Sequence, residues 1–208
     1  MIVKLFAKIN VFLLEILFPR ECLGCGRPGT YFCGVCAEKL CTGGRRKENI
    51  VICKSFDEAP YLKPVIHHFK YHFAVDLARP LGGIMRHHFK KYFKSDNIVL
   101  VPVPLHKKRL RMRSFNQSEL LAREIGPPIA DVLKRTRDTK PQAKLGRADR
   151  LKNLTDAFGL KPGTNLEDKV VVIVDDVYTT GSTIKECERA LRNAGVREIY
   201  GIVIASGC

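Results

Sequence analysis

The sequence centres on an apolar run that ends in two acidic residues and a turn rich in hydroxyl groups. It reads Val170-Val171-Val172-Ile173-Val174-Asp175-Asp176-Val177-Tyr178-Thr179-Thr180-Gly181-Ser182-Thr183. The run of β-branched residues predicts a strand buried on both faces, as in a parallel sheet, and we expect it to stop at the carboxylates. Residues 184–194 then predict a helix that ends at Gly195. This order of strand, turn and helix is typical of an α/β fold.

The predicted turn has the groups that hold a phosphorylated sugar. A helix N-terminus presents unpaired N–H groups to an anion, and Gly181 allows a close approach of the backbone. The carboxylates of Asp175 and Asp176 would repel phosphate, so we expect them to accept hydrogen bonds from sugar hydroxyls or to lie near Mg²⁺. The chain contains no Gly-x-x-x-x-Gly-Lys-Ser/Thr motif, which excludes a Walker A site. A buried strand with a capped helix and no ligand is the structural alternative.

This segment closely resembles the phosphoribosyl pyrophosphate (PRPP) loop of type I phosphoribosyltransferases. The shared features are the apolar strand, the acidic pair and the sequence Thr180-Gly181-Ser182-Thr183. The resemblance implies a type I phosphoribosyltransferase fold, in which a mainly parallel sheet is flanked by helices. Ligands of open α/β sheets bind at the carboxyl ends of the strands, so we expect the site at that edge.

The chain is strongly basic. Its 208 residues include 36 Lys and Arg against 21 Asp and Glu, a net charge of +15. This balance favours polyanionic partners, either a substrate with a pyrophosphate group or nucleic acid. A solvated basic surface is the alternative. Basic residues concentrate in residues 106–113 and 134–152, and the second region is expected to form a loop of the kind that closes over charged substrates.

Two Cys-x-x-Cys pairs lie near the start of the chain. Four thiolates in two such pairs predict a closed tetrahedral Zn²⁺ site of structural type. Gly24, Gly26 and Gly34 are expected to permit its tight turns. An iron–sulfur cluster and a redox dithiol are the alternatives. The four predicted ligands are Cys22, Cys25, Cys33 and Cys36.

Free cysteines indicate a reducing compartment, so we expect a cytoplasmic protein. The two further cysteines nearby, Cys41 and Cys53, could substitute as ligands but are expected to be packing residues. We expect an N-terminal helix and a zinc-binding module in residues 1–48, and a phosphoribosyltransferase-like domain in residues 49–208. Residues 1–18 predict an amphipathic helix, because their longest uninterrupted apolar run is much shorter than the roughly 20 residues that a transmembrane helix needs. A helix lying on a membrane surface is the alternative.

Residues 61–73 and 77–93 predict two helices that carry five of the six histidines. Adjacent His67 and His68 cannot share one helix face, so a second metal site is not expected. Lysines and arginines interleaved with aromatic residues suit single-stranded nucleic acid. The alternative is a hydrophobic core built on Phe69, Tyr71, Phe73, Phe89 and Phe93.

The chain as a whole resembles the ComF family of competence proteins. The resemblance rests on the cysteine pairs, Phe69-Lys70-Tyr71, Val101-Pro102-Val103-Pro104-Leu105 with its basic tail, Ser114-Phe115-Asn116-Gln117, Pro141-Gln142, residues 150–158 and the PRPP loop. It implies a role in natural transformation and the handling of incoming single-stranded DNA. A competence helicase or another DNA-processing protein is the implied protein partner.

The resemblance also implies roles for individual residues. Asp175 and Asp176 would hold the ribose hydroxyls, and Mg²⁺ would bridge pyrophosphate and ribose oxygens. Arg147 or Arg150 would close over the site. The 5-phosphate would bind Thr179, Thr180, Gly181, Ser182 and Thr183. The pyrophosphate loop would consist of Leu105, His106, Lys107, Lys108 and Arg109.

One position departs from the pattern of purine-salvage members, which usually carry an acid where this chain has Thr179. A threonine cannot act as an acid or base near neutral pH, which argues against a purine base as the acceptor. Two functions therefore stand side by side. The first is transfer of phosphoribosyl to an acceptor that the sequence does not name. The second is a non-catalytic DNA-binding competence factor with PRPP as a regulatory ligand or with an inactive site.

Overall fold

A computed structural model describes residues 19–72, 74–137 and 156–207. The predicted N-terminal helix, Pro141-Gln142, Arg147 and Arg150 lie outside these residues. Within the described ranges, no helix is long and apolar enough to cross a membrane.

The described residues form seven strands in two sheets. The larger sheet has the order β1-β2-β7-β6-β3, and β4 pairs with β5 in a small second sheet. Only the β1–β2 pair of the larger sheet is antiparallel. The strands are β1 (Arg45–Lys47), β2 (Ile50–Ser55), β3 (Ile98–Pro102), β4 (Leu133–Arg135), β5 (Phe158–Leu160), β6 (Val170–Tyr178) and β7 (Glu198–Ser206). The predicted α/β architecture with a mainly parallel sheet is confirmed.

Helices cover both faces of the larger sheet. Short 3₁₀ turns at Val75–Leu77 and Arg192–Ala194 adjoin two of them, and Gly195 follows the second with φ of +71°, as the predicted helix end requires. The helices are α1 (Gly34–Glu38), α2 (Leu62–Tyr71), α3 (Ala78–Tyr92), α4 (Lys107–Arg113), α5 (Gln117–Ile125) and α6 (Ser182–Leu191).

Strand β6 is the central element, and it is longer than the sequence suggested. The expectation that it stops at the carboxylates is wrong, because β7 continues to pair with it through Asp175↔Val203 as far as Tyr178↔Ser206. Backbone pairing on this side is independent of side-chain charge, so the acidic residues remain within the strand. Up to Val174, successive side chains of β6 point to opposite faces of the sheet.

Two hydrophobic cores result from this alternation. Val170, Val172 and Val174 face a core shared with α2, α3 and α5. Val171 and Ile173 face a second core, shared with α6, β4 and β5. A parallel sheet is stable only when both faces are covered in this way, which explains the continuous run of β-branched residues.

The cysteine segment packs into the first of these cores. Cys22, Cys33, Cys36 and Leu40 are buried together with side chains of α2 and α3. A buried hydrogen bond of 3.0 Å from His88 Nε2 to the Leu40 carbonyl joins the segment to α3. The cysteine segment and helix α3 are thereby held together by packing and by a satisfied polar contact.

The aromatic residues of the two predicted basic helices are largely internal. Phe69, Phe89 and Phe93 are all buried, and so is His88. The interpretation of these helices as an aromatic nucleic-acid surface is therefore wrong for these four residues. The hydrophobic-core alternative is confirmed for the three phenylalanines and is wrong for Tyr71, while Phe73 lies outside the described residues. Tyr71 is different, since 51% of it is exposed.

Helices α3 and α5 approach each other at a glycine. A Cβ atom at Gly82 would clash with Glu124 Cβ and lie 3.3 Å from the Leu121 carbonyl oxygen, whereas a Cβ at Gly83 would meet nothing within 4 Å. Close helix contacts of this kind tolerate no added volume without backbone movement.

We expect Gly82→Ala to lower the free energy of unfolding by about 1–3 kcal/mol, the usual cost of overpacking. Gly83→Ala is the matched control and should raise it by roughly 0.5–1 kcal/mol, because alanine is the better helix former. Denaturant unfolding of both variants measures the difference. Equal effects of the two substitutions would contradict the close contact.

Candidate functional site

The sheet brings the two predicted substrate segments to one edge. Strands β3 and β6 are neighbours, paired as far as Pro102↔Val174, and Val103 N donates to the Val174 carbonyl at 3.0 Å. Strand β3 ends there, whereas β6 continues to Tyr178 beside β7, so the segment after β3 and the turn after β6 leave the sheet at the same edge. This carboxyl edge is where open parallel sheets bind ligands.

The turn after β6 has the form expected of an anion site. Gly181 has φ of +76°, a conformation that favours glycine, and α6 begins at the next residue. Thr180 Oγ1 lies 2.5 Å from Ser182 Oγ and accepts a weak hydrogen bond of 3.4 Å from Ser182 N. Thr179 and Thr183 are half-buried on either side. The turn thus concentrates hydroxyl and N–H donors at the start of a ten-residue helix.

The acidic pair precedes this turn. Asp175 Oδ1 accepts hydrogen bonds from Ser118 Oγ at 3.2 Å and from Asp176 N at 2.9 Å. Burial and the charge of Asp176 raise the pKa of the Asp175 carboxyl from 3.8 to about 7, against opposing effects of Lys70, the Asp176 N–H and Ser118. A carboxyl with such a pKa is typical of functional sites, although structural networks also produce it.

Lys70 forms an ion pair with Asp176 and was not identified as a site residue from the sequence. Its Nζ lies 2.8 Å from Asp176 Oδ2, and both side chains are largely shielded from solvent. The neighbouring Phe69 is fully buried and anchors this turn of α2 in the core. No spacing in the sequence links residue 70 to residue 176, so only its place in the Phe69-Lys70-Tyr71 motif could have indicated it.

The segment after β3 is partly helical. Leu105 and His106 form the predicted loop, but Lys107, Lys108 and Arg109 belong to the first turn of α4. The expectation that all five residues form a loop is therefore wrong, because His106 Nδ1 accepts a hydrogen bond from Lys108 N and starts the helix. At the other end, Arg113 donates to Gln117 Oε1 and to Tyr71 Oη, both at 3.1 Å.

Helix α4 buries none of its residues. Leu110 is 42% and Met112 75% exposed, and five of the seven residues are Lys or Arg. A helix with this composition has no apolar stripe that faces the core. It presents a dense positive surface beside the carboxyl edge of the sheet.

The four predicted zinc ligands come together. One sulfur atom from each of Cys22, Cys25, Cys33 and Cys36 lies within 4.8 Å of the other three. The Cys25 and Cys33 sulfurs are 3.7 Å apart, and Cys33 N donates to Cys22 Sγ at 3.4 Å. Cys53 is fully buried in β2 and Cys41 bonds to the Ala37 carbonyl, as expected of packing residues.

The electrostatics of the cluster fit a bound dication. Burial acts to raise the pKa of the Cys22 thiol, but backbone N–H donors at Cys33, Gly24 and Cys25 outweigh it and lower that pKa to about 6. Burial and the other three sulfurs raise the pKa of Cys36 to about 12. Four crowded thiols resist full deprotonation without a cation, and Zn²⁺ binding reverses this by favouring the thiolates. The cluster is therefore compatible with structural zinc.

Only some of the glycines around the cluster are needed. A Cβ at Gly24 would lie 2.9 Å from Cys36 Sγ and 3.3 Å from the Tyr61 ring. Gly26 has φ of +74° and so also requires glycine. Gly34 is the first residue of α1, and a Cβ there would meet nothing within 4 Å. The prediction that glycines permit the tight turns around the sulfurs thus holds for Gly24 and Gly26 and is wrong for Gly34.

Gly24→Ala should weaken zinc retention by at least about tenfold, because its methyl group displaces the sulfur of Cys36. Gly34→Ala, at the glycine between the two cysteines of the second pair, should retain zinc like the unmodified chain. Competition with a colorimetric chelator measures both affinities. Identical chelator profiles for the two variants would contradict the assignment.

Comparison with known proteins places the chain in a family. Residues 82–207 match the model of the phosphoribosyl transferase domain. Competence protein F of Haemophilus influenzae is 32% identical, over 86% of each chain. DNA utilization protein YhgH of Escherichia coli is 31% identical, over 86% of this chain and 80% of the relative.

One further likeness is weaker. Competence protein ComFC of Bacillus subtilis is 28% identical, over 84% of this chain and 72% of the relative. The family model, which spans more than half of the chain, and the two relatives above 30% identity agree with the sheet topology and the cysteine cluster. The chain therefore belongs to the phosphoribosyl transferase domain family and, within it, to the ComF family of competence proteins.

Proposed function

We propose that this competence-related protein binds PRPP with Mg²⁺ at the carboxyl edge of its sheet and acts in the handling of single-stranded DNA during natural transformation. As an enzyme, the protein would transfer the phosphoribosyl group of PRPP to an acceptor. The single observation that carries the proposal is the partly buried acidic pair, Asp175 and Asp176, held by Ser118 and Lys70 directly before a phosphate-type turn. Names of relatives that refer to competence and DNA utilization support the biological setting.

Each part of the site has a task in this proposal. Asp175 and Asp176 accept hydrogen bonds from the ribose hydroxyls, which leaves the Ser118 and Lys70 contacts to hold the carboxylates in place. The donors of residues 179–183 bind the 5-phosphate. Residues 105–109 face the pyrophosphate with backbone N–H groups and cationic side chains.

Displacement of pyrophosphate from C1 of PRPP passes through an oxocarbenium-like transition state. The protein contributes position and charge stabilisation to such a step. The oxygen-rich acidic pair fits Mg²⁺, which supplies charge neutralisation of the pyrophosphate when bound. Arg147 or Arg150 is the proposed closing residue.

The remaining assignments follow the same reasoning. We place the zinc-binding module in residues 1–48 and the phosphoribosyltransferase-like domain in residues 49–208. Zinc has a structural role, since four cysteines leave no coordination position open. A reducing, cytoplasmic location suits free cysteines, of which the structure describes seven.

PRPP binding tests the proposal. Calorimetric titration of the chain with PRPP should show Mg²⁺-dependent binding, and the double variant Asp175→Asn with Asp176→Asn should lose at least about 100-fold in affinity through two weakened charged acceptors. Asp96→Asn, an exposed aspartate before β3, is the matched control and should bind normally. Binding that persists in the double variant would contradict the assigned site.

The double variant should remain folded. Folding raises the pKa of Asp175 to about 7, so the native protein loses stability as the pH rises through that value. Asparagine removes this ionisation, and the variant should be at least as thermally stable as the native chain at pH 8. Loss of PRPP binding with a retained melting temperature then assigns the effect to the site.

The pH dependence of PRPP binding tests the role of Lys70. Affinity should fall as the pH drops below about 7, because protonated Asp175 is a poorer acceptor. The Lys70 charge lowers the pKa of Asp175, so Lys70→Met should move the midpoint of this loss to higher pH. Lys63→Met, at the exposed start of the same helix, should leave the midpoint unchanged, and a shared midpoint in all three proteins would remove Lys70 from the site.

A second candidate function is DNA binding without catalysis, with PRPP as a regulatory ligand or with an inactive site. Helix α4 favours a DNA contact, because it combines five cations with exposed Leu110 and Met112 and buries nothing. Cations follow phosphates, and apolar side chains pack on bases, in the binding of single strands.

Substitution of α4 cations tests this contact. Lys107→Gln, Lys108→Gln and Arg111→Gln together should weaken binding of a labelled single-stranded oligonucleotide and reduce the slope of log affinity against log salt by about 2. The control variant carries Lys63→Gln, Lys90→Gln and Lys185→Gln, exposed positions on three other helices. Equal salt slopes in these two variants would argue against α4 as the DNA surface. DNA uptake that survives the double Asn variant would favour the non-catalytic function.

A further inference from the structure

Three histidines meet at the carboxyl end of α2. One ring nitrogen from each of His67, His68 and His72 lies within 4.8 Å of the other two. The prediction of no second metal site considered only the helix faces of His67 and His68. His72 is the residue after the last helical one, with φ of −111° and ψ of 21°, and its N–H still donates to the His68 carbonyl at 2.9 Å.

The three imidazole rings lie close to one another. His68 and His72 stack with centroids 4.4 Å apart and an interplanar angle of 19°. The His67 ring lies 5.7 Å from that of His72. His68 and His72 are also four residues apart, the spacing that places two imidazoles on one helix face. The His67 ring meets them at the end of the helix, where the ring nitrogens of all three residues converge.

A hydrogen bond fixes the orientation of the half-buried member. His68 Nδ1 lies 3.2 Å from the Pro64 carbonyl, which can only accept, so Nδ1 carries the proton. The lone pair of His68 is then on Nε2. Histidines that ligate metals usually donate their other ring N–H to a carbonyl or carboxylate in this manner. The Pro64 contact is an observation separate from the proximity of the three rings, and it too is typical of a histidine that binds a metal.

We propose that His67, His68 and His72 form a second metal site for a borderline transition-metal dication such as Zn²⁺, Co²⁺, Ni²⁺ or Cu²⁺. Imidazole suits these ions, whereas Mg²⁺ and Ca²⁺ prefer oxygen. His67 and His72 are exposed, so water can take the remaining coordination positions. The site therefore differs in donor type and in access from the cysteine cluster, in which Cys22, Cys33 and Cys36 are buried.

The three ring nitrogens must move closer together to bind one metal ion. Zinc–nitrogen bonds of about 2.0–2.1 Å place tetrahedral ligands about 3.4 Å apart. The ring nitrogens must therefore approach by up to about 1.4 Å, which side-chain rotation at an open helix end supplies. Arg113 stacks on Tyr71 at 4.9 Å, and the Tyr71 ring lies 4.8 Å from that of His67. The Arg113 charge thus lies one aromatic ring away from His67 and opposes a bound dication, so we expect metal at the histidines to exchange more readily than metal at the cysteines.

Cobalt titration tests the proposal. The full chain is prepared without a histidine tag, with zinc retained at the cysteines and weakly bound metal removed by a mild chelator. Calorimetry should then show one further equivalent of Co²⁺ per chain. Its absorption spectrum should lack the thiolate-to-cobalt charge-transfer bands that replacement of zinc at the cysteines would produce.

Variants assign this binding to the three histidines. His72→Ala should weaken the added equivalent at least about tenfold, and the triple alanine variant should abolish it. His87→Ala, an exposed histidine on α3, is the matched control and should bind Co²⁺ unchanged. Thermal melts confirm that each variant is folded.

Three results would overturn the proposal. They are no saturable second equivalent in the native chain, the same affinity in the triple variant, and thiolate bands in the spectrum of the added cobalt. None of these depends on PRPP, so failure of this site and failure of the PRPP site are separate outcomes.

Discussion

Two adjacent carboxylates within a partly buried strand impose the main electrostatic constraint on this protein. Asp175 and Asp176 sit where solvent is largely withdrawn, and the pKa of Asp175 rises as a result. Such a pair persists only when other groups compensate it. The compensation comes from Ser118 on α5, Lys70 on α2 and the strand's own N–H.

The surrounding architecture holds these compensating groups. Helix α5 can bring Ser118 to Asp175 because Gly82 lets it pack closely on α3. Helix α2 brings Lys70 to Asp176 because Phe69 is anchored in the core. The cysteine segment belongs to the same core and contacts α3 through His88 and Leu40. Zinc at the cysteines would therefore stabilise the part of the core against which α2 and α3 pack, away from the acidic pair itself.

The features predicted correctly are those that local sequence specifies. The run of β-branched residues required a strand covered on both faces, and Gly195 marked the helix end by its positive φ. The cysteine spacing required the sulfurs to meet. The strand end was misplaced because β7 pairs beyond the apolar run, and Phe69, Phe89 and Phe93 could not be assigned to surface or core by composition.

The sequence by itself determined the β6 strand with its acidic pair, the turn at Gly181, the four-cysteine cluster and the family of the chain. Each depends on residues within a few positions of one another, where spacing fixes geometry. Only the tertiary structure decided that Lys70 meets Asp176, that Ser118 meets Asp175, and that three histidines converge at the end of α2. The physical reason is that these contacts depend on how helices pack on the sheet and on how side chains are oriented at the end of α2, and neither produces a periodic pattern in the sequence.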